Sequence, residues 1–234
     1  MASTYTLKSS VPAQSLGVGE RAAFLARTYQ HLLGAVVAFV ALEVLLFESG
    51  TAAKIAAAVR GVSWLWVLGA FLVVGWFASR TAHRAVSPAA QYAALAAFVA
   101  AEALILVPIL YHAQSITAGV IESAALVTLL GFAGLTAVAF VTRKDFSFLG
   151  GLVRWGMLTI LIVVVAGIVF GFRPGTFFSV GIIFVAGAAV LYDTSKVLRR
   201  YPSDRHVAAA LELFASLAVM FWGVLRLFNS LFRN

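Results

Sequence analysis

From residue 24 onward the chain is a succession of long apolar runs broken by short polar turns. The runs occupy residues 24–47, 62–79, 89–111, 116–141, 148–171, 175–198 and 205–228, the second being the shortest. Each is continuous rather than alternating, the pattern of a buried or lipid-facing helix and not of a barrel strand. A helix needs ~20 residues to cross a hydrocarbon layer ~30 Å thick. The runs therefore predict an all-α polytopic membrane protein with seven transmembrane helices. Several boundaries have a local cause. Pro88 suits a first helical turn, and Arg173-Pro174-Gly175 breaks the chain between spans five and six. Ser203 is the expected N-cap of span seven, with Asp204 favouring that helix's positive end. Residues 1–20 are polar and small, and are expected to form a flexible cytoplasmic tail ahead of a transmembrane domain at 21–234. They hold no short apolar core with a cleavage site, so the first span is expected to be its own insertion signal.

Composition narrows the class. Of 234 residues, 62% are hydrophobic and 11% charged, with a mean hydropathy of +1.00. The pI near 10.3 suggests nucleic acid at first sight. Cytoplasmic loops of membrane proteins gather Lys and Arg, however, and that reading is preferred. Of the 17 Lys and Arg residues, 12 fall on the side of the N-terminal tail, which predicts an N-terminus inside and a C-terminus outside. Trp64, Trp66 and Tyr111 are expected at the outer interface, Trp155 and Tyr201 at the inner one. The absence of cysteine excludes disulfides and thiolate metal sites.

The chemistry is expected inside the membrane, where an ionised side chain is costly and marks a task. Asp193 lies eight residues before Tyr201, and Glu212 eight residues after Asp204. In an antiparallel pair this puts both acids at one depth, roughly 12 Å from the turn. Ser216, Val219, Gly223 and Arg226 continue the Glu212 stripe at helical spacing. Ala186, Gly187 and Ala189 would let the two helices approach. Two acids in low dielectric resist joint ionisation. Such a pair holds a proton, binds a cation or pairs with a base, for which Arg80 at the end of span two is the candidate. The plainer alternative is a hydrogen-bonded lock between two helices. Glu122 and Glu43 read as solvated end charges, and Arg226 as a snorkelling outer anchor. Glu102 either lines a watery path or is neutral and hydrogen-bonded. His31 reads as a satisfied core group without a second histidine at ligand spacing. Pro108 predicts a kink in span three. No metalloprotease, nucleophile-elbow or phosphate-loop motif occurs, so no catalytic residue is assigned and an enzyme is not expected.

Particular strings carry a resemblance. Phe24-Leu25 with Thr28-Tyr29 enters span one, and Thr142-Arg143-Lys144-Asp145-Phe146-Ser147-Phe148-Leu149-Gly150-Gly151 joins spans four and five. Leu191-Tyr192-Asp193-Thr194-Ser195 and the closing helix 208–228 follow. Together they resemble the Bax inhibitor-1 family, in its bacterial YccA-like branch, over nearly all of the chain after the tail. The resemblance implies seven spans with the last one central, in a bacterial inner membrane. It also implies a pH-sensitive calcium leak set by two aspartates sharing a proton, with an arginine latch. Asp193 matches the first aspartate and Arg80 resembles the latch. The second aspartate is replaced by Ser216, so Glu212, one turn earlier, would have to substitute. Asp193 and Glu212, with Ser216, Tyr192 and carbonyls, would give weak calcium coordination and need no resident cofactor. Relatives lacking the second aspartate imply a different role, association with and inhibition of the membrane-anchored FtsH protease.

Overall fold

A computed structural model describes residues 12, 15, 17–60, 63–84, 87–116, 118–172 and 174–232; the side chains of 64, 71 and 82–84 are excluded from that description. Most of the expected tail, Lys8, Arg173 and Arg233, and the first residue of predicted span two lie outside the described residues. Eight helices are present among those described: α1 (Val18–Glu48), α2 (Thr51–Arg60), α3 (Trp64–Arg84), α4 (Pro88–Ile116), α5 (Val120–Thr142), α6 (Leu149–Phe170), α7 (Thr176–Arg199) and α8 (His206–Leu231). Six are long and apolar enough to cross a membrane. α2 and α3, bent by 114° across a short break, make a seventh span if taken together. No strand occurs among the described residues, only an isolated bridge between Pro12 and Pro202.

Three expectations about boundaries are corrected. α1 begins at Val18, inside the stretch read as tail. The loop after span one contains α2, which the sequence reading missed. Its segment TAAKIAAAVR is too short to span but rich in alanine, the strongest helix former, and it buries Ala52 and Ala56. α8 begins at His206, one residue after the predicted 205, but Ser203 is not its cap; Arg205 occupies the N-cap position and no side chain caps the helix. Pro202 accepts a backbone bond from Arg205 at 3.1 Å, so a tight turn fills the place a Ser203 cap would take. Pro88 opens α4 as expected, and α4 runs on through Pro108.

α8 is the core. It packs against α7, α1, α5, α4 and α3. In its most apolar stretch 78% of residues are buried, against none in that of α6. Large apolar side chains instead cover the outside, among them Phe177 at 93% exposure and Val141 at 82%. That inversion suits lipid as the surrounding solvent. α7 and α8 approach closely because small residues line their seam: a Cβ on Gly223 would stand 2.8 Å from Ile182 Cγ2. The predicted stripe through Ser216 and Gly223 does face α7.

Candidate functional site

The turn between α7 and α8 holds the polar cluster. Asp193 and Ser216 meet across the seam, where the Ser216 hydroxyl donates to Asp193 Oδ2 at 2.5 Å. One turn nearer the connection, Lys196 Nζ donates to both oxygens of Glu212, at 2.8 and 2.9 Å. Lys196 and Glu212 are mostly withdrawn from solvent, with side chains 31% and 18% exposed. Glu212 also stands close enough to act electrostatically on Asp193. The Tyr201 ring closes the cluster, 5.4 Å below the Lys196 ammonium, and its hydroxyl reaches Glu212. Burial pushes the Tyr201 hydroxyl far up, with the negative charge of Glu212 and Asp193 adding to it, so the phenol stays a donor. The arrangement holds two carboxylates, one ammonium and two hydroxyls. With both acids ionised its net charge is −1, and one bound proton or cation neutralises it.

Several sequence expectations are revised by this geometry. Arg80 is exposed, with its guanidinium 5.2 Å over Trp76, one turn earlier on α3, rather than against either acid. The base in the cluster is Lys196. It was legible as the residue three after Asp193 on the same helical face, but a basic turn masks it as an ordinary loop charge. Tyr192 turns toward α6: a Cβ on Gly150 would stand 2.8 Å from its ring. Tyr201 is 2% exposed and belongs to the cluster, not to an interfacial belt. Arg226 does not snorkel into headgroups. Its guanidinium donates to the Pro174 carbonyl at 2.5 Å and lies 5.3 Å over Phe178, tying the end of α8 to the turn before α7.

The strings that carried the resemblance pack together beside this cluster. Ser195 Oγ accepts the Phe146 amide at 3.1 Å, and Arg200 reaches Asp145 Oδ2 at 3.0 Å and Ser147 Oγ at 3.1 Å. Arg199 donates to the carbonyl of Arg143, a residue in the left-handed region at φ 49°. The α5–α6 loop is thereby fastened to the end of α7 just past Asp193. Bonds from the Ser147 side chain and amide hold the Asp145 carboxyl below its usual range. Arg21 on α1 donates to the Leu198 carbonyl at 2.9 Å, fixing the start of α1 at the same end. Tyr29, Thr136 and Thr194 bring three buried hydroxyls together, none in a well-formed hydrogen bond.

The remaining candidates lie apart. His31 is not alone: its ring is 4.9 Å from that of His206, a pairing made only by the fold. His31 Nδ1 donates to the Arg27 carbonyl at 2.6 Å, and in the neutral ring Nε2 accepts from Tyr92 at 2.9 Å. Glu102 is buried in α4 at 7% exposure. Glu122 is exposed in the first turn of α5. Glu43 is not a solvated end charge. It is 8% exposed, and neither carboxylate oxygen has a hydrogen-bond partner among the described residues. No group of three or more His, Asp or Glu able to hold a metal ion occurs among those residues.

Fold and cluster define an all-α integral membrane protein built around its last helix, with a cluster of ionisable groups at one end of the α7–α8 seam. The family described as "Inhibitor of apoptosis-promoting Bax1" matches residues 21–234, and the chain belongs to that family. Among curated relatives, the Escherichia coli K12 protein named "Modulator of FtsH protease YccA" is 32% identical over 100 residues, 42% of this chain and 45% of that one. Pseudomonas aeruginosa PA2604 is 32% identical over 113 residues, 47% of this chain and 50% of its own. "Bax inhibitor 1" of Schizosaccharomyces pombe is 28% identical over 124 residues, 50% and 45% of the two chains. The chain spans about half the length of the curated relatives it matches.

Proposed function

We propose that this protein is a protonation-controlled cation leak in a bacterial inner membrane, with the α7–α8 turn and the N-terminus on the cytoplasmic side. One observation carries the reading: on the seam of the most buried helix Asp193 is held by Ser216 and Glu212 by Lys196, close enough that Glu212 and Lys196 both act electrostatically on Asp193. Lys196 balances one carboxylate. The second charge meets the Ser216 hydroxyl and a weaker electrostatic pull from the already paired Lys196, and a proton or a cation relieves it. Protonated, the cluster is neutral and the seam stays shut. Ionised, it attracts a cation, and calcium finds two carboxylates and nearby carbonyls too few for tight capture, which suits passage over storage. The test is calcium flux into proteoliposomes across a pH series. The expected result is a pH-dependent flux in wild type that is lost in the Asp193→Asn, Glu212→Gln double variant; equal flux from both would reject the reading.

A second reading rests on the similarity to the E. coli protein named as a modulator of the FtsH protease. Co-purification from a membrane extract would recover an FtsH-type protease, and its substrates would live longer on overexpression. Neither effect would change in Asp193→Asn, which separates the two readings.

A further inference from the structure

Away from the Asp193 cluster, α1, α4, α5 and α8 line a cavity of ≈ 320 Å³ that opens on one side, past Val40, Val44 and Leu129. Its walls are apolar, with Phe39, Leu106, Phe214 and Phe221 prominent. Two acids belong to it, Glu43 and Glu122. Glu43 is more than nine-tenths buried, and both its oxygens stand without a hydrogen-bond partner among the described residues. The one hydroxyl lining the cavity is already used, since Thr128 donates to the Ala124 carbonyl at 2.7 Å. An ionised carboxylate in such surroundings is expensive to keep unless something supplies a donor or a charge.

We propose that this cavity is a binding site for a hydrophobic amine, a protonated ammonium carried on a compact apolar body. The shape of the lining decides the class. A hydrated metal ion would lose its water against phenylalanine and leucine and regain only one or two carboxylates. A neutral lipid tail would fill the space and leave Glu43 without a partner. An apolar body with one ammonium satisfies both parts. The body replaces the empty volume against Phe214 and Phe221, and the ammonium donates to Glu43 while facing aromatic rings that favour a cation. Glu122, exposed in the first turn of α5, puts a second negative charge on the same lining and draws cations toward it. The site is independent of the leak. The start of α1 is tied to the α7–α8 turn through Arg21 and Leu198, whereas Glu43 lies near the far end of the same helix.

The experiment uses the full chain in lipid nanodiscs with radiolabelled 1-aminoadamantane, and empty nanodiscs as the partition background. Wild type is expected to bind it saturably, with 1-adamantanol, the neutral isostere, competing at least tenfold more weakly. Glu43→Gln, which preserves shape, should weaken binding at least tenfold. Leu217→Trp, which fills the cavity and leaves Glu43 in place, should abolish it, and Asp193→Asn should leave it within twofold. No saturable binding by wild type, equal competition by amine and alcohol, or equal affinity in wild type and Glu43→Gln would each overturn the proposal. The amine and alcohol comparison is made on wild type alone, so it decides even if a variant fails to fold.

Discussion

Lys196 is the residue on which the α7–α8 cluster depends, because it is the partner of a carboxylate that is 18% exposed. Removing one member of such a pair strands the other. With the discount that partial exposure requires, Lys196→Met should cost about 1–2 kcal/mol, read as a lower unfolding temperature in a fixed lipid. The Lys196→Met, Glu212→Gln double variant should recover most of that loss, since no charge is then left unpaired. Asp145 behaves differently. Its hydrogen bonds with Ser147 lower its pKa, so its contribution is complete above the ordinary carboxylate value of ~3.9 and is lost as pH falls through the depressed folded value. Protection of the Phe146 amide from exchange, corrected for intrinsic rate, should therefore be flat from about pH 8 to pH 5. A steep fall within that window would show that the loop is not held through Asp145. At this scale the sequence located Asp193 and Glu212 by their distance from one turn, and Ser216 by its helical spacing from Glu212. It misplaced Arg80, Tyr201, Arg226 and Glu43, because long or amphipathic side chains choose their direction from neighbours the sequence does not order.

At the scale of elements, hydropathy placed every span, with ends off by up to six residues, since ~20 apolar residues in lipid have few alternatives to a helix. It failed where a segment was short or a turn was tight. α2 has only ten residues, too few for any spanning pattern. The α8 start falls within one residue of 205, but Ser203 does not cap it, because the chain turns tightly through Pro202 before His206. The α7–α8 contact gives a sharper test. A methyl group on Gly223 would press on the branched side chain of Ile182 at 2.8 Å. Gly223→Ala should destabilise by about 1–3 kcal/mol through overpacking, although alanine is the better helix former. An unchanged or higher unfolding temperature would mean that the helices are not in close contact there.

For the whole molecule, the burial pattern assigns α6 to lipid and α8 to the interior. Ile162 in α6 is 57% exposed, so an arginine there would face hydrocarbon. Ile162→Arg should cost about 2.5–3.5 kcal/mol in insertion and reduce the membrane-integrated yield, whereas Ile162→Leu should not. Equal yields would place α6 elsewhere. The sequence alone determined that this chain is a bundle of helices in a membrane, which family it resembles, and that two acids stand near its last turn. Those conclusions follow from local physics, because hydrophobic length and the cost of a buried charge are properties of a segment. Only the tertiary structure decided which base pairs with Glu212, that two histidines meet, and that Glu43 faces a cavity. Each of these depends on which surfaces touch, and contacts between distant segments are fixed by packing, not by the spacing of residues along one strand of chain.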